Sequence, residues 1–211
     1  MDARLVAPLS MGVYGSRLSG KSVFVKNLLL EQQRLISPPF GKVVWIYKTW
    51  QDDLFKELMG ESFNITFLDD LPNFEEMGKQ ENTLIIIDDF MMEASNSLQV
   101  QALFTRGRHL GLSIIYLSQN MFHKGKYSRD FTLNMDYIVV FRNIRDATQI
   151  GILARQMHPT NSKFIISSYN DATEEAYGHL FLDLKHDGEK SLRVRGNILN
   201  EIQTVYLPKN L

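Results

Sequence analysis

The stretch VYGSRLSGKSVFV, residues 13–25, contains Gly15 and, after four more residues, the triplet Gly20-Lys21-Ser22. This spacing matches the phosphate-binding P-loop pattern at every specified position. The glycines let backbone N–H groups approach phosphates, and a helix starting near Gly20 directs its partial positive charge at the same anion. The stretch therefore predicts an ATP-binding loop made of Gly15, Ser16, Arg17, Leu18, Ser19, Gly20, Lys21 and Ser22. Lys21 is predicted to reach the β- and γ-phosphates, and Ser22 to offer its hydroxyl to Mg²⁺.

The composition narrows the class of protein. The chain has 211 residues, no cysteine, and 23 basic against 24 acidic residues. Because cysteine is absent, disulfides and thiolate metal sites are excluded. The near-neutral charge excludes a protein that binds DNA over most of its surface, because such proteins are basic. No apolar run approaches the roughly 20 residues that span a bilayer, and the N-terminus lacks a signal pattern. We expect a soluble intracellular protein without a membrane segment of its own.

Short apolar runs alternate with helical patterns along the chain. Strand-like runs are MGVYG, KVVWIY, NITFLDD, TLIIIDD, LSIIYLSQ and DYIVVFR, and helices are predicted near 20–34, 51–59, 95–109 and 146–157. Continuous apolar strands of this kind suit a parallel sheet covered by helices on both faces. Near the end, YGHLFLDLKHDGEKSLRVRGNIL reads as a hairpin around an Asp-Gly turn. We predict an α/β, RecA-like (ASCE) P-loop NTPase fold with a mainly parallel sheet flanked by helices and a C-terminal β-hairpin. Residues 1–211 are expected to form one domain, with a core at about 9–157 and a C-terminal helix and hairpin at about 160–200.

A pair of carboxylates follows the fourth strand-like run, TLIIIDD. Because ligands in open α/β sheets bind where strands end, Asp88 is predicted to hold Mg²⁺ and Asp89 to orient or deprotonate the attacking water. The alternative is a pair of solvated carboxylates that cap a strand. The similar pair at 69–70 follows a shorter run and precedes Pro72, and it is interpreted as a loop. Two carboxylates at 88–89 favour hydrolysis over a tightly held switch.

Four motifs occur in register: GSRLSGKS (15–22), LIIIDDF (84–90), FTRGRHLGLSIIYLSQN (104–120) and DYIVVFRNIRD (136–146). Together they resemble the FtsK–HerA superfamily, and within it most closely the genome-packaging ATPases of double-stranded DNA viruses with double-jelly-roll capsids. The resemblance runs from about residue 9 to 157 and includes the terminal hairpin. Many cellular members carry Asp-Glu where this chain has Asp88-Asp89, and the shorter carboxylate of Asp89 would shift the attacking water by about one methylene.

The resemblance implies roles for further residues. Gln119 matches a polar sensor that contacts the γ-phosphate or the attacking water. Arg106 or Arg108 matches an arginine finger that acts on the nucleotide of the neighbouring subunit, and Arg142 is the alternative finger or a sensor. A guanidinium would neutralise charge on the γ-phosphoryl oxygens. The competing interpretation of Arg106 and Arg108 is that they cap a helix C-terminus.

The segment NMFHKGKYSRDF, residues 120–131, is locally basic. Lys124, Lys126 and Arg129 stand against one acidic residue. In RecA-like motors the loop after the sensor strand often faces the central channel, so these residues are candidates for contacts with the DNA backbone. A solvated surface loop is the alternative. Trp50 could stack on an adenine, although packing in the protein interior is favoured.

The resulting prediction is a ring-forming ATPase, a pentamer or hexamer, that moves double-stranded DNA into a preformed viral capsid. Its expected partners are double-stranded DNA, copies of itself, and capsid or portal-vertex proteins; a viral protein would reside in the infected cell and at a virion vertex. Alternatives are a related conjugation or segregation pump and a nucleotide-binding assembly protein with negligible turnover. A small-molecule kinase is disfavoured because no arginine-rich lid is visible.

Overall fold

A computed structural model describes residues 2–61, 64–74 and 82–209. The elements of the N-terminal half are β1 (Leu5–Val6), β2 (Ser10–Tyr14), α1 (Lys21–Leu30), α2 (Gln32–Leu35), β3 (Ile36–Ser37), β4 (Lys42–Tyr47), α3 (Asp52–Gly60), β5 (Ile65–Leu68) and β6 (Thr83–Asp88). Those of the C-terminal half are α4 (Met91–Ser95), α5 (Leu98–Arg106), a 3₁₀ helix (Gly107–Leu110), β7 (Leu112–Ser118), α6 (Ser128–Leu133), β8 (Tyr137–Phe141), α7 (Thr148–Met157), α8 (Ser162–Ala172), β9 (His179–Asp183), a second 3₁₀ helix (Lys190–Leu192), β10 (Val194–Gly196) and β11 (Thr204–Val205).

Nine strands of the described chain form one sheet in the order β11-β10-β9-β8-β2-β7-β6-β4-β5. The six strands from β8 to β5 run parallel, whereas β9, β10 and β11 are antiparallel to their neighbours. The strand before the P-loop, β2, and the strand that ends in Asp88, β6, are separated by β7. The carboxyl ends of all three strands therefore meet at one edge of the sheet, which is called the nucleotide edge below.

The central strands β2, β6, β7 and β8 are buried along their length because helices cover both faces of the sheet. On one face α1 and α3 pack through Phe24, Val25, Leu28, Phe55 and Leu58. On the other face α4, α5, α7 and α8 contribute Ala94, Val100, Leu103, Leu153 and Ile165, among others. Burial on both sides explains why β4, β6, β7 and β8 read as continuous apolar runs rather than as alternating ones. The predicted fold class, a mainly parallel sheet flanked by helices, is confirmed.

Several element boundaries differ from the sequence prediction. The helix expected over 20–34 is interrupted at Glu31, and the helix expected over 95–109 is divided into α4, α5 and a 3₁₀ turn. Ser97 caps α5, because its Oγ accepts a hydrogen bond from the N–H of Val100 at 3.3 Å, and a capped helix start fixes the boundary at Leu98.

The C-terminal hairpin is present as β9 and β10, and it extends the main sheet through antiparallel pairing of β9 with β8. Its connection is ten residues long, 184–193, and includes the second 3₁₀ helix, so it is longer than the tight Asp-Gly turn that the sequence predicts. Among the residues that the structure describes, no helix has both the length and the apolar character required to cross a membrane.

Candidate nucleotide-binding site

The P-loop connects β2 to α1 at the nucleotide edge. Gly20 forms the N-cap of α1 with a φ of 99°, and Leu18 also has a positive φ, 62°, with its side chain 87% exposed at the tip of the loop. The N–H of Gly15 donates to the carbonyl of Ser118 in β7, which ties the loop to the neighbouring strand. Lys21 Nζ donates to the carbonyls of Gly15 and Ser16 at 2.8 and 2.9 Å. The loop thus curves around its own lysine.

The crowding around this loop fits a phosphate cradle. A β-carbon on Gly15 would lie 2.5 Å from Ser19 Oγ and 2.7 Å from Phe141 Cβ, so only glycine allows this close approach. Ser19 Oγ is buried and has no hydrogen-bond partner among the described residues. A buried polar atom without a partner is costly unless a ligand satisfies it. The loop therefore has the shape and an available polar group for a triphosphate.

The hydroxyl of Ser22 and the carboxylate of Asp88 meet beside the P-loop. Ser22 Oγ donates to Asp88 Oδ2 at 2.9 Å, although 66 residues separate them in sequence. Gln51, at the N-cap of α3, donates from Nε2 to the same Asp88 oxygen at 3.1 Å and to Ser22 Oγ at 3.3 Å. Hydroxyl and carboxylate oxygens are the ligands that Mg²⁺ prefers. The donor set present at this point suits Mg²⁺ bound together with phosphate.

Burial and nearby charges act in opposite directions on the pKa values of Asp88 and Lys21. Burial raises the pKa of Asp88, whereas the Ser22 hydrogen bond and the positive charge of Lys21 lower it. Burial lowers the pKa of Lys21, and the charges of Asp88 and Asp89 oppose that change. In the described part of the chain no three His, Asp or Glu side chains gather as a metal site, so Mg²⁺ would depend on phosphate and water for most of its coordination.

Asp89 and Gln119 follow β6 and β7 directly. The register pairs Asp88 with Leu117 and Tyr14 with Ser118, which places Gly15, Asp89 and Gln119 at the same edge of three adjacent strands. Both side chains are exposed, and Asp89 has a φ of 63°, in the left-handed region. Such a conformation in a residue other than glycine is uncommon and clusters at functional sites.

The three candidate arginines lie at two different edges. Arg142 is exposed immediately after β8, at the nucleotide edge of its own subunit. Arg106 ends α5, and Arg108 lies in the following 3₁₀ helix, at the edge where β7 begins. Arg108 Nη2 forms an ion pair with Asp136 Oδ1 at 2.5 Å. An arginine finger at 106 or 108 would thus act only on another subunit, whereas Arg142 is adjacent to the P-loop of its own chain.

The basic loop, residues 120–129, leaves the nucleotide edge after β7, and Lys124, Lys126 and Arg129 are all exposed. The Lys126 ammonium lies 5.0 Å from the centre of the Tyr127 ring. Arg129 belongs to the first turn of α6 rather than to the loop proper. The exposure of these three basic side chains is compatible with a surface that binds the phosphate backbone of DNA. The DNA contact stays a prediction.

Hydrogen bonds tie the basic loop to the element that follows the two carboxylates. The N–H of Tyr127 donates to the carbonyl of Ser95 at 2.9 Å, and the N–H of Lys126 donates to Asn96 Oδ1 at 3.2 Å. Gly125 packs so closely on Ser95 that a β-carbon would lie 2.3 Å from its Oγ. Since α4 begins two residues after Asp89, the loop and the carboxylates are linked through one short helix.

Trp50 packs in an aromatic cluster with Tyr47, Phe55 and Phe67, at ring-centre distances of 4.8 to 5.6 Å, and its indole N–H donates to Asp52. Sequence reasoning missed Gln51, whose side chain donates to Asp88 and Ser22. It belongs to no motif, and its only sequence signal is its place before the acidic first turn of α3.

A scan against protein-family models finds no match for this chain. Among solved structures, the chain is similar to the genome-packaging NTPase B204 from Sulfolobus turreted icosahedral virus 2 in complex with ATP-γ-S, with a TM-score of 0.57, 13% identity and coverage of 99% of both chains. The chain has the B204 fold. The predicted RecA-like P-loop ATPase architecture, and with it the resemblance to FtsK–HerA ATPases, is confirmed at the level of the fold.

The cytoplasmic domain of the type VII secretion ATPase EccC of Thermomonospora curvata is also similar, with a TM-score of 0.55 and 14% identity, covering 93% of this chain and 25% of that one. In sequence, the chain is 26% identical over 179 residues to the uncharacterized protein 015R of Frog virus 3 (isolate Goorha), covering 74% of this chain. The chain spans about half, 53%, of the length of that relative.

Proposed function

We propose that this chain hydrolyses ATP at the P-loop and uses the energy to move double-stranded DNA. The observation that carries the proposal is the 2.9 Å hydrogen bond between Ser22 Oγ and Asp88 Oδ2, because it joins the two protein ligands that a P-loop ATPase uses for Mg²⁺. Asp89 and Gln119 at the same edge supply groups for the water. The B204 complex with ATP-γ-S supports the choice of nucleotide.

Each residue has a defined part in the proposed hydrolysis. The P-loop N–H groups and Lys21 Nζ would hold the phosphates, and Ser22 Oγ and Asp88 would hold Mg²⁺, which would neutralise phosphate charge. A carboxylate oxygen of Asp89 accepts the proton of the attacking water, and the Gln119 amide orients that water. These two residues distinguish a hydrolase from a protein that only binds nucleotide.

The motor part of the proposal rests on the link between the carboxylates and the basic loop. Because α4 joins Asp89 to Ser95 and Asn96, a shift of the carboxylates would be transmitted to Lys124 and Lys126. A ring of subunits would present several copies of this loop to one duplex, which multiplies a weak contact. Packaging into a viral capsid, with a capsid or portal-vertex partner, is the biological role we propose, in line with the genome-packaging function in the name of B204.

A charge-removal experiment tests the DNA contact. The double variant Lys124→Ala/Lys126→Ala should lose most of the stimulation of ATP turnover by duplex DNA while keeping turnover without DNA. The matched control is Lys163→Ala/Lys190→Ala, which removes the same charge from exposed lysines of α8 and of the second 3₁₀ helix. Equal stimulation in both double variants would remove the basic loop from the proposal.

Mixing inactive subunits tests whether the finger acts between subunits. Lys21→Ala subunits lack the P-loop lysine, and Arg106→Ala subunits lack the candidate finger, so each pure ring should be inactive. In mixed rings, about one quarter of the interfaces would pair an intact P-loop with an intact arginine if subunits assemble at random. Recovered turnover supports a finger in trans; its absence with both Arg106→Ala and Arg108→Ala would shift the role to Arg142.

A further inference from the structure

An exposed tyrosine adjoins the P-loop on the side away from the carboxylates. Tyr177 lies between α8 and β9, its side chain is 72% exposed, and its φ is 64°. A bulky residue in the left-handed region is a genuine outlier. A β-carbon on Gly20 would lie 3.2 Å from Tyr177 Cδ1, so the ring is in close proximity to the P-loop backbone.

Tight packing around its neighbours fixes the position of Tyr177. A β-carbon on Gly178 would lie 2.5 Å from the carbonyl oxygen of Ala172, so the chain passes very close to the end of α8. The next residue, His179, is buried, and its ring contacts Phe24 of α1 and Phe141 of β8 at 4.8 and 5.3 Å between ring centres. The backbone that carries Tyr177 is therefore anchored in the core, while the tyrosine ring is exposed.

The sheet order shows which end of a nucleotide would meet this ring. Counted from β2, the strand β6 with Asp88 lies to one side, and β8 and β9 lie to the other. Ser22 faces Asp88, whereas Gly20 faces Tyr177. If the β- and γ-phosphates are held on the Asp88 side, the nucleoside leaves the loop on the side of Tyr177.

We propose that Tyr177 is the stacking platform for the base of the bound nucleoside triphosphate, an inference that rests on the proposed nucleotide site. An aromatic face suits a purine ring, and a tyrosine side chain has only two χ angles to order on binding. Trp50, the other exposed aromatic considered for this role, is engaged in its own aromatic cluster and hydrogen-bonded to Asp52. Stacking selects for a base without distinguishing which purine is bound.

Calorimetric titration with Mg·ATP and, separately, with Mg²⁺ and inorganic triphosphate tests the inference, because only ATP has a base. Tyr177→Ala should weaken ATP binding about tenfold and leave triphosphate binding unchanged, whereas Tyr177→Phe, which keeps the ring, should match the wild type. Lys21→Ala should weaken both ligands. Should Tyr177→Ala fail to fold, Tyr177→Gly replaces it, because glycine suits the positive φ.

The outcomes separate this inference from the proposed function. Equal ATP affinity in Tyr177→Ala and wild type, or an equal loss for ATP and triphosphate, would overturn the stacking role while Lys21-dependent binding still supported the P-loop. Wild-type protein that binds neither ligand, or binds both independently of Lys21, would overturn both the site and the platform.

Discussion

Replacing Gln51 with glutamate would place a second carboxylate beside Asp88. At the 3.1 Å separation between Gln51 Nε2 and Asp88 Oδ2, two such charges would repel by about 5 kcal/mol at an effective dielectric constant of about 20. Uptake of one proton limits this energy, because protonating an ordinary glutamate at pH 7 costs about 4 kcal/mol. The free energy of unfolding of Gln51→Glu should therefore fall by about 4 kcal/mol at pH 7 and by about 1 kcal/mol at pH 5.

Millimolar Mg²⁺ should restore most of this loss, because the two carboxylates and the Ser22 hydroxyl would together hold the cation. The assay is urea unfolding at pH 7 and pH 5, with and without Mg²⁺. The chain contains a matched control: Gln101 Nε2 donates to Asp130 Oδ2 at 2.8 Å, away from the P-loop. Gln101→Glu should suffer a similar penalty, and Mg²⁺ should relieve less of it, because in the described chain no hydroxyl group is hydrogen-bonded to Asp130 as Ser22 is to Asp88. Equal Mg²⁺ effects on both variants would refute the assignment of a metal site at Asp88.

Three further changes have defined outcomes. Burial lowers the pKa of His179 to about 4. Because the unfolded chain takes up this proton below pH 6.5, the free energy of unfolding should fall by up to about 3 kcal/mol by pH 4. His179→Phe should remove that part of the acid destabilisation, as measured by urea midpoints at pH 7 and 4.5. Gly15→Ala should lose about 1–3 kcal/mol of stability and its triphosphate binding, because its β-carbon meets Ser19 and Phe141, whereas Gly60→Ala, with no atom within 4 Å, should melt no lower than the wild type. Asp89→Asn should bind ATP normally, since asparagine tolerates the left-handed backbone, while its hydrolysis rate falls about 10²–10⁴-fold; hydrolysis at the wild-type rate would exclude Asp89 as the base.

The sequence predicts those features that depend on local pattern. The runs that form β4, β6 and β8 are continuously apolar because both faces of the sheet are covered, and the P-loop spacing reflects a backbone requirement that few residues satisfy. The edge at which Gly15, Asp89 and Gln119 meet follows from parallel pairing and could be expected before the strand order was known.

Long-range contacts could not be predicted from the sequence, because no periodicity encodes them. Gln51 reaches Asp88 across 37 residues only because β4 pairs with β6, and a glutamine before a helix is an ordinary surface residue in sequence. The proximity of Tyr177 to Gly20 depends in the same way on the antiparallel addition of β9 to β8. The start of α5 was local and could have been found from Ser97, a favourable N-cap.

The most direct test of the account is steady-state ATP hydrolysis at high protein concentration, with and without double-stranded DNA, with Lys21→Ala as the background. We predict turnover that duplex DNA stimulates and that Lys21→Ala abolishes. Turnover no faster than that of Lys21→Ala, in protein that binds ATP and assembles, would contradict the motor and favour a nucleotide-controlled assembly protein.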